Sequence, residues 1–262
     1  MSVTIALLGP VGDALREFGD AIEFIFKARP SEGGGIQVGG LGEIWDFTRV
    51  HLLVSIVAMA VACAIAVPIG LYLGHRGRGE FLAITVSNVG RAVPALVLLF
   101  VFLAYVGNGP RVLTLVLVLL AIPPILTNTY VGVRQVSREI VDAAQGMGMT
   151  GAQVIRRVRL PLAMPTIFAG IRTSAVSVLA TATIGTPVNV QTLGEPIFVP
   201  QQYGPSGVLG AALVIALITL AADAGIGMAQ QAVTPKGIKL AEQGGSRRGR
   251  LALPTRRREA SA

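Results

Sequence analysis

The chain has 262 residues, 52% of them hydrophobic and only 14% charged, with a formal net charge of +8. A water-soluble domain carries about 25% charged residues, so this composition excludes an ordinary soluble enzyme, and the long unbroken apolar runs point to a membrane protein. The basic residues fall between or after those runs rather than on one face, which excludes a nucleic-acid-binding surface.

The first 49 residues form a separate segment. No Lys or Arg precedes Arg16, and the early apolar stretch breaks at Gly9-Pro10, so the start does not read as a secretory signal. Residues 11–28 predict an amphipathic helix at the membrane interface, with Leu15, Phe18, Ile22 and Ile25 at helical spacing among Asp13, Glu17, Asp20 and Lys27. Residues 29–42 are rich in Gly and Pro and read as a linker.

A spanning helix needs about 20 apolar residues, each adding about 1.5 Å. Five segments meet this: 52–73, 81–106, 113–133, 162–184 and 208–229. The second is interrupted at Arg91-Ala92-Val93-Pro94, with Arg91 read as snorkelling to headgroups. The third contains Pro123-Pro124, the fourth Arg172 and the fifth Asp223. The expected fold is all-α, a polytopic membrane helix bundle over residues 50–230. His51 and His75, at the two ends of the first span, read as interfacial polar residues. Cys63, the only cysteine, lies in an apolar run, so there is no disulfide and no cysteine metal site. No metal site and no cofactor of the chain's own are expected.

Loop charge sets the orientation. Segments 74–80, 134–161 and 230–262 share one side and hold 15 basic residues, against 5 on the other. The expected topology therefore puts the N-terminus outside and the C-terminus in the cytoplasm. The tail 231–262 is basic and reads as disordered, with its Arg-rich end from Ser246 able to touch anionic lipid.

The longest loop, 134–161, is broadly helical over 138–157, with Ile140, Val141, Ala144 and Met147 near the front and Val154 and Val158 later. Gly146, Gly148 and Gly151 interrupt the run, predicting two short helices that meet at a turn. Leu160-Pro161 then opens the next span, since Pro suits a first helical turn. An amphipathic helix displayed in water needs a groove to cover its apolar face.

The stretch Asp142-Ala143-Ala144, three residues, Gly148, nine residues, Val158-x-Leu160-Pro161 resembles the EAA loop of ABC importer permeases. That family's pattern has Glu for Asp142 and Ile for Val158, with the same spacing. The resemblance implies the five-helix core of the type I importer permeases and a loop that docks into a groove on a separate ATPase subunit. Ala143, Ala144 and Gly148 would allow close approach there, and Asp142 and Arg156 would supply polar contacts. ATP is then used by the partner, in keeping with the lack of any G-x-x-x-x-G-K-[ST] run. An extracytoplasmic binding protein and a second permease subunit, identical or related, are the other implied partners, in a bacterial inner membrane.

Further stretches narrow the resemblance to osmoprotectant permeases, which carry quaternary amines such as glycine betaine, choline and carnitine. These are Gly146-Met147-Gly148-Met149-Thr150, Leu160 through Pro165, Ala169-Gly170-Ile171-Arg172-Thr173, Gly90 through Pro94, Ala182-Thr183-Ile184-Gly185 and Leu193 through Phe198. The outer loop Thr186-Pro187-Val188-Asn189-Val190-Gln191-Thr192 departs from that pattern, which leaves another small solute, such as an amino acid, as an alternative ligand. Trp45 and the four tyrosines are scattered, so no aromatic cage for a cation is expected, and specificity falls to the binding protein.

Charge in hydrocarbon normally faces protein or water. Arg172 and Asp223 lie at similar depths on antiparallel spans, so a contact between them is expected, either as a structural pair or as a gate. Pro123, Thr127 and Asn128 in the third span, with Ser174, Ser177, Thr181 and Thr183 in the fourth, are the pathway-lining candidates, and helix packing is the competing reading. A secondary transporter would need coupling carboxylates and inverted repeats. Asp223 is the only acid deep in a span, no repeat is visible, and no span holds the clustered groups of a membrane enzyme.

Overall fold

The structure of the chain, a computed structural model, describes residues 2–77, 85 and 93–234, with side chains from residue 12 onward. The first part of the expected span 81–106, residues 81–84 and 86–92 with Arg91 among them, lies outside the described residues, as does the tail from residue 235.

Helix α1 (Ser2–Phe26) leads into strands β1 (Ala28–Pro30) and β2 (Gln37–Gly39). Next come α2 (Gly40–Arg76), α3 (Ala95–Val106), α4 (Pro110–Gln135), α5 (Arg138–Gly146) and α6 (Gly151–Val154). A π-helical turn (Ile155–Arg159) runs into α7 (Leu160–Thr181), and a 3-10 turn (Ala182–Val188) follows. Short α8 (Glu195–Phe198) and long α9 (Pro200–Val233) are the last elements among the described residues.

Four continuous helical stretches are long and apolar enough to cross a bilayer: Gly40–Arg76, Pro110–Gln135, Gly151–Val188 and Pro200–Val233. The 12 residues of α3 reach only about 18 Å, so a fifth complete span is not seen among the described residues.

Helix α4 is the most buried of the four and forms the centre, packed on α2, α3 and α7. Leu113, Leu117 and Ile125 on α4 meet Ala58, Ala62 and Ala66 on α2 and Val178 on α7. Small residues facing large ones let helices approach closely, and in lipid such packing, not desolvation, holds helices together. At Gly70 of α2 a Cβ would stand 2.7 Å from Cβ of Thr129, so the crossing of α2 and α4 needs the bare backbone there.

The N-terminal segment departs from its sequence reading. The helix passes through Gly9-Pro10 without a break. The stretch read as a linker is an antiparallel hairpin pairing Arg29 with Val38, followed at once by α2, which begins 12 residues before the expected span. The physical cause is tertiary. Phe24, Val38, Ile44, Phe47, Leu193 and Tyr203 share one cluster, which the short strands complete. Tyr203 lies edge-on to Phe24 and Phe47, each 6.3 Å between centroids. Arg29 donates to the Tyr203 carbonyl at 2.7 Å and lies 5.1 Å from the Phe24 ring centroid. Ser31 Oγ and the Glu32 N–H both donate to the Gln202 carbonyl. Beside them Gly204 takes φ +65°, kinking the start of α9.

His51 is not interfacial. It is 1% exposed, and its Nε2 lies 2.9 Å from the Leu179 carbonyl, which belongs to the last turn of α7, where carbonyls lack intrahelical partners. His75 is half-buried at the other end of α2.

Candidate functional site

Two sets of sequence-predicted residues converge, one at the end of the bundle opposite the hairpin and one within it.

The first is the 138–161 loop. Ser137 caps α5 by accepting from the Ile140 N–H. The helix ends in a left-handed turn: Gly148, at φ +83°, donates to Gln145, and Met149 donates to Ala144. Thr150 then starts α6 with a capping box closed by Gln153. Val141, Ala144 and Val154 pack together with Val136, Met149 and Val158, giving the two short helices a core of their own. Ala144 is therefore an internal packing residue, whereas Asp142, Ala143, Gly148 and Arg156 are exposed, and Val158, Leu160 and Pro161 are half-buried.

Sequence reasoning placed Ile140 and Met147 on the apolar face of this loop but missed which part of that face stays uncovered, and it missed two further features. Ile140 and Met147, 46% and 73% exposed, sit with Ala143 on one edge of α5 at helical spacing, an apolar stripe the chain leaves uncovered. The next span does not begin afresh at Leu160-Pro161, because Leu160 N–H donates five residues back to Ile155 in the π-helical turn. That wider turn carries the helix past Pro161, which has no N–H to give. Finally, Arg159 Nη1 donates to the carbonyls of Gly74 (3.2 Å) and His75 (3.4 Å), fastening the loop to the C-terminal turn of α2. A cation near a helix C-terminus is favoured by the macrodipole, and that rule was the signal available for finding Arg159.

The second set is intramembrane. Arg172 of α7 and Asp223 of α9 form a two-pronged pair, Nε to Oδ1 at 2.8 Å and Nη2 to Oδ2 at 2.5 Å. The side chains stay 39% and 34% exposed and line an open concavity of about 450 Å³ with Ala169, Thr173, Val176 and Ser177.

The pathway candidates divide. Ser174 is fully buried and donates to the Ala121 carbonyl of α4 at 2.9 Å. Pro123 is also buried. Both are packing residues inside the bundle, a correction to their reading as lining groups. Thr127 and Asn128 are half-buried, the Asn128 amide donating to the Pro124 carbonyl. Thr181 and Thr183 are half-buried near the 3-10 turn, and Thr183 donates to Ala180. Ser177 lines the Arg172–Asp223 concavity. Among the described residues no three His, Cys, Asp or Glu side chains gather as metal ligands would.

Comparison with known proteins agrees with this architecture. Residues 66–235 match the family described as binding-protein-dependent transport system inner membrane component. The glycine betaine/carnitine/choline transport system permease protein OpuCB of Bacillus subtilis (strain 168) is 33% identical over 205 residues, 78% of this chain and 94% of the relative. The carnitine transport permease protein OpuCB of Listeria monocytogenes is 35% identical over 196 residues, 74% of this chain and 90% of the relative. An inward-facing structure of the MetNI methionine ABC transporter shares the fold at TM-score 0.64 and 20% identity, covering 74% of this chain and 98% of that one. The chain belongs to the binding-protein-dependent transport system inner membrane components, a multi-pass permease of an ABC importer and not an enzyme.

Proposed function

We propose that this chain forms the transmembrane pathway of an ATP-driven importer for small quaternary-amine osmoprotectants: glycine betaine, carnitine and choline. It works with a separate ATPase, an extracytoplasmic binding protein and a second permease subunit. The observation that carries the coupling is the uncovered Ile140–Ala143–Met147 edge on a helix that is capped at both ends and backed by its own small core. Such a helix suits a groove on a partner. The ligand class rests on the relatives, whose names specify these amines.

The mechanism follows from the connections. Two ATPases close on ATP and push the two 138–159 loops. Arg159 passes the push to α2, and the unbroken helix 151–181 passes it to the Arg172–Asp223 level. The subunits then switch from inward-open to outward-open as packed bodies. The hairpin and the kinked start of α9 lie at the outer end, the N-terminus outside, and the basic tail in the cytoplasm. This arrangement puts 15 loop cations inside against 5 outside.

The test is uptake of labelled glycine betaine, carnitine and choline by cells whose own betaine transporters are deleted and which express the chain with its partners. Uptake that persists without the ATPase would make the chain an ion-coupled transporter instead.

A further inference from the structure

The Arg172–Asp223 concavity sits in the membrane-spanning part of the bundle, yet its surface is unlike the rest of the exterior. Elsewhere the spans expose many large apolar side chains, among them Leu53, Ile56 and Ile69 on α2 and Leu217, Leu220 and Met228 on α9. The exposed face of α7 is mostly small and hydroxylated, with Ala169, Thr173, Ser177 and Ala180 in a row and Val176 its one large apolar side chain among the described residues. A guanidinium and a carboxylate left a third exposed toward hydrocarbon would be costly, so this face meets water or protein and not lipid. The Thr173 and Ser177 hydroxyls donate only up their own helix, to Ala169 and Thr173, which leaves their oxygens directed at the concavity free to accept.

We propose that this concavity is a transit subsite for a small zwitterion carrying a carboxylate and a quaternary ammonium, an inference that rests on the function proposed above. The ion pair is the template. A carboxylate from the ligand takes the two-pronged position on Arg172 that Asp223 holds, and the ammonium, which has no N–H and cannot hydrogen-bond, settles against the released Asp223 carboxylate. Charge is conserved at each stage: one internal pair becomes two pairs with the ligand, and the internal pair reforms when the ligand leaves. A pocket of about 450 Å³ falls within the size range of small-molecule sites, and the Val176 side chain gives the ammonium methyls an apolar wall.

The discriminating variant is Arg172→Met with Asp223→Leu, tested in the full complex with its ATPase and binding protein in proteoliposomes. Replacing an ion pair by apolar groups of like volume commonly preserves a fold, so a merely structural pair would tolerate the change. The expected result is a variant that still co-purifies with the ATPase but loses glycine betaine uptake by at least about tenfold. Uptake close to wild type overturns the subsite. Should the double variant fail to assemble, accessibility decides. Ser177→Cys in a Cys63→Ala background is expected to react with a charged thiol reagent, and loaded binding protein with ATP is expected to slow that reaction. An unreactive thiol, or a rate indifferent to ligand, overturns the proposal. A wild-type complex that takes up none of the three amines overturns the proposed function itself, and the subsite with it, whereas one that takes up only choline, which has no carboxylate, overturns the subsite alone.

Discussion

The Tyr203 hydroxyl donates to the Glu43 carboxylate across 3.0 Å, tying the kinked start of α9 to the first turn of α2. The same carboxylate accepts from the Gly39 N–H at the end of the hairpin, so one acidic side chain joins three elements. Tyr203→Phe keeps the ring between Phe24 and Phe47 and removes only this bond. It is expected to cost about 1.5–3 kcal/mol, the range for a hydrogen bond to a charged group. Tyr203→Ala also empties the cluster and is expected to cost about 3–5 kcal/mol. Thermal unfolding of the purified chain in nanodiscs checks the order of the two.

Gly148 holds φ +83° at the turn between α5 and α6, and a Cβ added there would meet no atom within 4 Å, so backbone strain and not crowding penalises substitution. An L-residue in that conformation costs about 1–2 kcal/mol. Gly148→Ala should weaken ATPase co-purification modestly. Gly148→Asp adds an unpaired charge beside the docking edge and should abolish it. Equal retention of ATPase by both variants would remove this turn from the coupling surface.

Met147→Asp leaves the turn geometry alone and places a charge on the exposed stripe. Fold and membrane insertion are expected to be unchanged, since the Met147 side chain is 73% exposed. Loss of ATP-dependent uptake with normal protein yield is the expected result, measured by transport assay and immunoblot.

Removing either charge of the Arg172–Asp223 pair strands its partner within a span, so Arg172→Ala and Asp223→Ala should each lower the yield of folded protein. Exchanging the two, Arg172→Asp with Asp223→Arg, should restore much of it. Size-exclusion recovery after membrane extraction reads the comparison.

The proposed topology is tested by labelling. In a Cys63→Ala background, Ile36→Cys at the exposed hairpin is expected to react with an impermeant thiol reagent in intact cells. Met147→Cys is expected to react only once the membrane is opened. The reverse pattern would invert the chain and detach the 138–159 loop from any cytoplasmic ATPase.

Much of the bundle was legible from the sequence because hydrocarbon permits few solutions: long apolar runs must be helices, and Arg172 and Asp223 at one depth on neighbouring antiparallel spans had a partner within reach. The turn at Gly148 was legible through its glycines. The hairpin at 28–39 was not, because strands of three residues carry no alternation and their stability comes from Phe24, Tyr203 and Phe47, remote in sequence. Ser174 and Ser177 look alike in sequence, yet one is buried against α4 and the other lines the concavity. Three residues turn a helix by about 300°, and only the placement of α4 decides which direction is inward. The burial of His51 was hidden in the same way, since its partner is a backbone carbonyl that sequence does not display.

The π-helical turn at Ile155–Arg159 has a mechanical consequence. Without it, Pro161 would divide the chain into a loose knuckle and a separate span. With it, residues 151–181 form one rod about 46 Å long. The helical backbone is continuous along this rod, through Pro165, so displacement of its inner end is expected to reappear largely as tilt. Over that length a tilt of about five degrees carries the far end about 4 Å, enough to open or shut a passage for a small solute.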